Sequence, residues 1–120
     1  MERSRSYRDL VIWNKSIALV GKIYSSTRSF PKEEIYGLTS QIRRAGISIP
    51  ANIAEGQARN SKGEFLQFFG IAQGSLAELE RLLMISRNLE YLTSKDAEEL
   101  LINCEEISRL LAGLKNSLKT

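Results

Sequence analysis

Apolar residues recur at alternating spacings of three and four through four segments that fill nearly the whole chain, and no segment alternates with the period of two that a strand needs. The first segment runs from about Tyr7 or Asp9 to Thr27 and carries Leu10, Trp13, Ile17, Val20 and Tyr24. The second runs from Pro31 to about Ala58 with Ile35, Leu38, Ile42, Ala45 and Ile49 in register. After the connector Arg59-Asn60-Ser61-Lys62, the third shows Phe65, Phe69, Ala72, Leu76, Leu79, Leu83 and Ser86 and ends near Leu89 or Glu90. Thr93 or Ser94 then caps the fourth, with Asp96 in its first turn and a stripe of Ala97, Leu100, Cys104, Ile107, Leu111, Leu114 and Leu118. Four helices with one apolar face each and short connections bury those faces most simply as an all-α, antiparallel up-down-up-down four-helix bundle. At 120 residues the chain is one domain, 1–120, with short flexible ends expected at about 1–6 and 117–120.

Local chemistry refines the second segment. Pro31 suits the first position of a helix, and Glu33 and Glu34 complement the dipole in the first turn. Pro50 removes a backbone donor and crowds the carbonyl of Gly46, so a kink is expected between Gly46 and Pro50. Ile53 and Ala54 beyond it imply that the helix continues. Ala45, Gly46, Ser48, Ala51, Ala54 and Ala58 leave one side of this helix nearly flat, which invites close packing. Gly70 and Gly74 lack the Lys-Ser/Thr context of a phosphate loop, and their spacing of four is expected to admit a neighbouring helix instead. The third segment is apolar beyond a single stripe, with Leu66, Phe68, Ile71, Leu82 and Ile85 beside its core positions; it is central in the bundle or offers that surplus to another subunit.

Functional exclusions come from what the chain lacks. It has no histidine, so zinc sites, imidazole bases and Ser/His/Asp or Cys/His arrangements lose their usual participant. Ferritin-like carboxylate sites need the histidine of a Glu-x-x-His pair as well. No enzyme, metal or cofactor is expected. The single Cys104 fits a reducing compartment and lies on the apolar stripe of the last helix, which makes it a buried small hydrophobe. No apolar run approaches a membrane span, and the polar start MERSRSYRD has no signal-peptide core behind it, so a cytoplasmic protein without a membrane partner is expected.

One stretch carries more than a generic amphipathic helix requires. The residues Tyr36-Gly37-Leu38-Thr39-Ser40-Gln41-Ile42-Arg43-Arg44-Ala45 and Ser48-Ile49-Pro50-Ala51-Asn52-Ile53-Ala54-Glu55-Gly56 stand with Tyr7-Arg8-Asp9-Leu10-Val11-Ile12-Trp13, Phe30-Pro31 and Gly74-Ser75-Leu76-Ala77-Glu78-Leu79 in a pattern that resembles the 23S rRNA intervening sequence protein family of bacterial four-helix bundle proteins. Gln73, before Gly74-Ser75, departs from the Arg more usual there. The resemblance covers the first three helices; the fourth matches in character alone. It implies a ring-shaped homo-oligomer, a pentamer by preference. The related accessory variability determinants of diversity-generating retroelements form similar pentamers that bind a reverse transcriptase and nucleic acid. By analogy, the resemblance implies an RNA or DNA accessory role, with a reverse transcriptase or a ribosome component as a possible protein partner.

Charge bears on the same question independently. The overall net charge of +3 decides nothing, but residues 1–62 carry a net +6 and residues 63–120 a net −3. A ring repeating such a subunit multiplies its basic surface, and binding becomes steeply salt-dependent and avid. The candidate nucleic-acid contacts are Arg3, Arg5 and Arg8 on the N-terminal arm, Lys15, Arg43 and Arg44, and Arg59 with Lys62 at the connector. Each competes with the plainer reading of a solvated or ion-paired side chain, and Arg43 and Arg44 divide evenly between a structural ion pair and a phosphate contact. Asn52 and Glu55 form a polar motif amid Ile49, Ile53 and Ala54; its readings are backbone or Arg/Ser hydrogen bonding, a subunit contact or channel lining, and, last, catalysis. Trp13 reads as a core or interface anchor. The leading function is a non-catalytic, ring-forming accessory protein that contacts RNA or DNA through a basic surface. The alternative is a protein-only scaffold or adaptor for an acidic partner such as a polymerase.

Overall fold

The computed structural model describes residues 7–119, which include none of the expected N-terminal arm before Tyr7. Four α-helices form in order: α1 at Tyr7–Thr27, α2 at Leu38–Gln57, α3 at Lys62–Asn88 and α4 at Ser94–Lys119. A short 3-10 helix at Lys32–Glu34 lies between α1 and α2, and there is no strand among the described residues. Helix α1 packs on α2 and α4, and α3 packs on the same two, with α2 and α3 sharing the most extensive contact and the backbones of the diagonal pairs held apart among the described residues. At about 1.5 Å per residue α3 is roughly 40 Å long. The few residues that join it to α2 and to α4 cannot bring the chain back to its starting end, so adjacent helices run antiparallel. The arrangement is that of a four-helix bundle.

Each helix boundary has a chemical cause. Ser61 caps α3 by accepting from the Glu64 N–H at 3.1 Å, while its hydroxyl donates to the Glu64 carboxylate at 3.1 Å. Thr93 does the same for α4, accepting from the Asp96 N–H at 3.0 Å. At the far end of α3, Glu90 takes a positive φ of 65°. The Tyr91 N–H reaches the Ser86 carbonyl at 2.9 Å and the Glu90 N–H reaches that of Arg87 at 2.9 Å, the paired bonds of a Schellman stop.

Three expectations require correction. Helix α2 does not begin at Pro31: the chain makes its 3-10 turn, passes through Gly37 at φ −115° and ψ −113°, and becomes α-helical only at Leu38. Glu34 is the reason, because one carboxylate oxygen accepts from the Leu38 N–H at 3.0 Å and the other from the Tyr91 hydroxyl at 3.1 Å. It thereby caps α2 and ties the α1–α2 connector to the α3–α4 connector, where Phe30 packs at a tilt against Tyr91 with ring centroids 5.4 Å apart. Ile35, expected in the core, lies exposed in this turn.

The second correction concerns which stripe of α1 is buried. The core takes Ile12, Ser16, Leu19, Ile23 and Thr27, whereas Trp13, Val20 and Tyr24 are half-buried on the flank and Ile17 is 45% exposed. Burying Ser16 and Thr27 is cheap because their hydroxyls donate to the carbonyls of Trp13 and Ile23, each at 2.8 Å within the same helix. The third concerns the glycines. Among the described residues no neighbour lies within 4 Å of where a Cβ on Gly70 or Gly74 would sit, whereas a Cβ on Gly46 would lie 3.0 Å from Ile23 and one on Gly56 3.0 Å from Phe69. Close helix approach occurs at α2, not at the α3 pair.

Helix α2 runs unbroken through Pro50, which is buried. Its small residues do not share one neighbour: Ser48 and Ser75 of α3 share a hydrogen bond of 2.8 Å, Gly46 faces Ile23 of α1, and Ala51 and Ala58 are exposed. The surplus apolar surface of α3 divides, with Leu82 buried, Leu66 and Phe68 half-buried, and Ile71 and Ile85 exposed.

Candidate nucleic-acid interface

The most constrained of the candidate cations is Arg43. It projects from the first half of α2 across the antiparallel neighbour α1, where its Nε donates to Thr27 Oγ1 at 2.9 Å and its guanidinium lies over the Tyr24 ring, 4.4 Å from the centroid. Tyr24 and Thr27 are three residues apart and share one face of α1, so a single turn supplies both the stacking surface and the acceptor. Thr27 is buried and held in its rotamer by its bond to the Ile23 carbonyl. Arg43 makes no other hydrogen bond and no ion pair among the described residues, which leaves its two terminal amino groups without partners there.

Arg44, next in sequence, faces elsewhere. It is exposed and lines an open groove of about 400 Å³ between α2 and α3 with Gln41, Ser48, Ser75 and Glu78. The remaining candidates are scattered. Lys15 pairs with Glu106 of α4 at 3.0 Å. Arg59 pairs with Glu55 at 2.7 Å and stacks on Phe68 at 4.7 Å. Lys62 is exposed at the start of α3. Arg8 is placed only as a position in the first turn of α1, and Arg3 and Arg5 lie outside the described residues. The structure therefore groups Arg59 and Lys62 at one end of the bundle and leaves Arg43 about 24 Å along α2 from Arg59 at the usual helical rise.

Asn52 and Glu55 make the backbone, Ser and Arg hydrogen bonds that are the first of their readings, each with a different partner. The Asn52 amide donates to the Ser48 carbonyl at 2.8 Å and to its hydroxyl at 3.0 Å, extending the Ser48–Ser75 link between α2 and α3. Glu55 is exposed and engaged with Arg59. A second open groove, of about 530 Å³, runs between α1 and α4 and is lined by Gly21, Lys22 and Ser25 on one side and Asp96 and Glu99 on the other. Among the described residues no cluster of three His, Cys, Asp or Glu side chains is placed to hold a metal. Cys104 is fully buried, and burial first, with the charge of Glu80 adding to it, pushes its thiol pKa up to about 12, so it stays protonated and inert at neutral pH. No helix of the described chain is long and apolar enough to cross a membrane.

Sequence reasoning missed Tyr24 and Thr27 as the residues that fix Arg43, and Phe68 as the platform under Arg59. A weak signal for the first existed: Tyr24 and Thr27 have a helical spacing of three, but only the α1–α2 pairing brings them to Arg43. The exposed cations Lys22, Arg28 and Lys32 add to the α1 side and were not singled out.

Four antiparallel helices with a basic first half and an acidic second half define a small all-α bundle protein. Residues 8–113 match the family of the 23S rRNA-intervening sequence protein, and the chain belongs to that family. Among solved structures it is similar to a protein of unknown function from the S23 ribosomal protein family of Bacteroides thetaiotaomicron, with 28% identity, 94% of this chain and 99% of that one covered, and a TM-score of 0.83. No match is found among curated proteins.

Proposed function

We propose that this protein is a non-catalytic, cytoplasmic accessory protein that assembles into a ring, a homopentamer by preference, and binds RNA or DNA through its basic surface. The observation that carries the reading is the partition of charge between the two halves of the bundle. Residues 10–32 and 35–54, which make up most of α1 and α2, contain no Asp or Glu, while nine acidic residues lie at or beyond Glu64 in α3, α4 and their connector. Lys15 is taken by Glu106 of α4, but Arg43 and Arg44 make no ion pair among the described residues and stay available to phosphate, and repetition around a ring converts weak single contacts into avidity. Self-assembly is supported by the apolar stripe of α1 that the core does not use, Trp13, Ile17 and Val20, with Ile17 45% exposed.

A second reading, a protein-only scaffold or adaptor for an acidic partner such as a polymerase, draws on Ile71 and Ile85 of α3 and Leu89 just past its end, each 45–51% exposed. One experiment separates the two. Binding to labelled structured RNA and to matched duplex DNA is followed across a salt series while light scattering gives the mass on the same sample. The nucleic-acid reading expects an oligomer several times 13.5 kDa and a steep log-log decline of affinity with salt. No binding at low salt removes it in favour of the scaffold, and a monomer at micromolar concentration removes the ring.

A further inference from the structure

We infer that Arg43 is a pre-positioned phosphate fork: its terminal amino groups grip a backbone phosphate of the bound nucleic acid in two-point fashion, with Thr27 and Tyr24 as positioning residues. This rests on the nucleic-acid reading above and names the contact within it.

The argument begins with what each cation can offer. Lys15 and Arg59 are each already joined to a carboxylate, at 3.0 and 2.7 Å, and a phosphate must compete with that partner. Arg44 and Lys62 are exposed and unanchored among the described contacts, so binding must freeze long side chains. Arg43 differs on both counts. Its Nε is bonded to a buried threonine and one face of its plane is covered by Tyr24, so most of its rotamer freedom is already lost in the free protein. The unused edge is the pair of terminal amino groups, the part of a guanidinium whose geometry matches two phosphate oxygens.

Sequence explains why that edge stays free. Arg43 leans to the α1 flank of α2, and neither α1 from residue 10 nor α2 up to residue 54 holds an acidic residue. The carboxylates that do reach this pair of helices lie on their other flanks: Glu78 lines the α2–α3 groove, Asp96 and Glu99 line the α1–α4 groove, and Glu106 pairs with Lys15. A half-buried guanidinium with no carboxylate of the described residues bonded to it keeps its open edge for an anion from outside the chain.

The test compares the wild type with Arg43→Lys, Arg44→Lys and Thr27→Val, using a labelled RNA hairpin at fixed moderate salt, with oligomer mass and melting recorded for each. Arg43→Lys keeps the charge and removes the fork, so affinity should fall about tenfold while the salt slope holds, whereas Arg44→Lys should stay within about twofold. Thr27→Val leaves the arginine in place but frees its Nε, and should weaken binding about threefold, which decides the matter if Arg43→Lys does not fold. Wild-type affinity in Arg43→Lys and Thr27→Val, with assembly intact, overturns the fork and leaves the nucleic-acid reading standing. A changed oligomer mass in Arg43→Lys, with binding lost alongside, overturns it in favour of a carboxylate on a second copy of the chain. A wild type that binds no nucleic acid overturns both.

Discussion

Gly56 provides a direct test of how closely α2 and α3 are packed. A Cβ at this buried position would sit 3.0 Å from Phe69 Cδ1, 3.2 Å from the Phe65 carbonyl oxygen and 3.2 Å from Phe68 Cβ. Ordinary carbon contacts are about 3.5–4.0 Å, so three neighbours must yield at once. The carbonyl belongs to the helix backbone of α3. Phe65 and Phe69 are 1% and 0% exposed with ring centroids 4.1 Å apart, which blocks rotation of either ring away from the new methyl. Such overpacking costs about 1–3 kcal/mol. Against it stands the helix propensity of Ala over Gly, at most about 1 kcal/mol and less one residue from the helix end. Gly56→Ala should therefore destabilise by about 1–2 kcal/mol. Gly74→Ala is the control: nothing lies within 4 Å of its Cβ site in mid-α3, and it should stabilise by about 0.5–1 kcal/mol. In urea, with a slope of about 2 kcal/mol per molar, the midpoints should move about 0.5–1 M down and 0.3–0.5 M up. Far-UV circular dichroism reads both, and mass is recorded alongside because assembly shifts apparent stability. A Gly56→Ala midpoint at or above wild type, at unchanged slope, refutes the account of the α2–α3 contact.

Two further outcomes follow from the connectors. Glu90 holds a left-handed backbone that a side chain disfavours by about 1–2 kcal/mol, so Glu90→Gly should raise the urea midpoint; a lowered midpoint would mean that the Glu90 side chain contributes more than its strain costs. The bond from Tyr91 to Glu34, ahead of desolvation and the charges of Glu34 and Glu33, raises the Tyr91 pKa above 10.0. A raised folded pKa gives stabilisation that is complete below the unfolded value and lost as pH rises through the folded one. Wild type should therefore lose stability relative to Tyr91→Phe above about pH 10, measured as the difference of urea midpoints, and a difference that stays constant from about pH 8 to 11 would disprove the coupling.

The limits of sequence reading show in particular residues. The four helices were legible because periodicity is a local property of each segment: Phe65 to Ser86 and Ala97 to Leu114 fall in the core as their spacing requires. Local reading failed where two solutions were locally equal. Helix α1 carries two stripes of similar width, and the one richer in aromatics lost to the one containing Ser16 and Thr27, because hydroxyls that bond back to their own helix impose little burial penalty. The start of α2 was misplaced for a related reason. Pro31, Glu33 and Glu34 do mark a helical turn, but the carboxylate of Glu34 serves the Leu38 N–H and Tyr91, and Tyr91 is distant in sequence. The glycines follow the same logic, since only the docking of α3 decides that Gly56 rather than Gly70 meets a neighbour.

The site was legible to a lesser degree, because a cation's availability depends on its neighbours in space. Sequence spacing alone anticipates the pairing of Glu55 with Arg59, four residues apart across the C-terminal end of α2. It does not anticipate that Glu106 of α4 neutralises Lys15, nor that Arg43 and Arg44 part company, one clamped against α1 and the other open beside α3. Yet the condition that isolates Arg43 is written in the sequence as an absence. Between Leu10 and Ala54 the acidic residues are Glu33 and Glu34 alone, both in the connector, and Glu34 is occupied by Leu38 and Tyr91. A single carboxylate on the α1 flank, such as Ile47→Glu one turn beyond Arg43, would supply the missing partner. It should lower nucleic-acid affinity without removing any positive charge, and full affinity in that variant would show that binding does not run through this face.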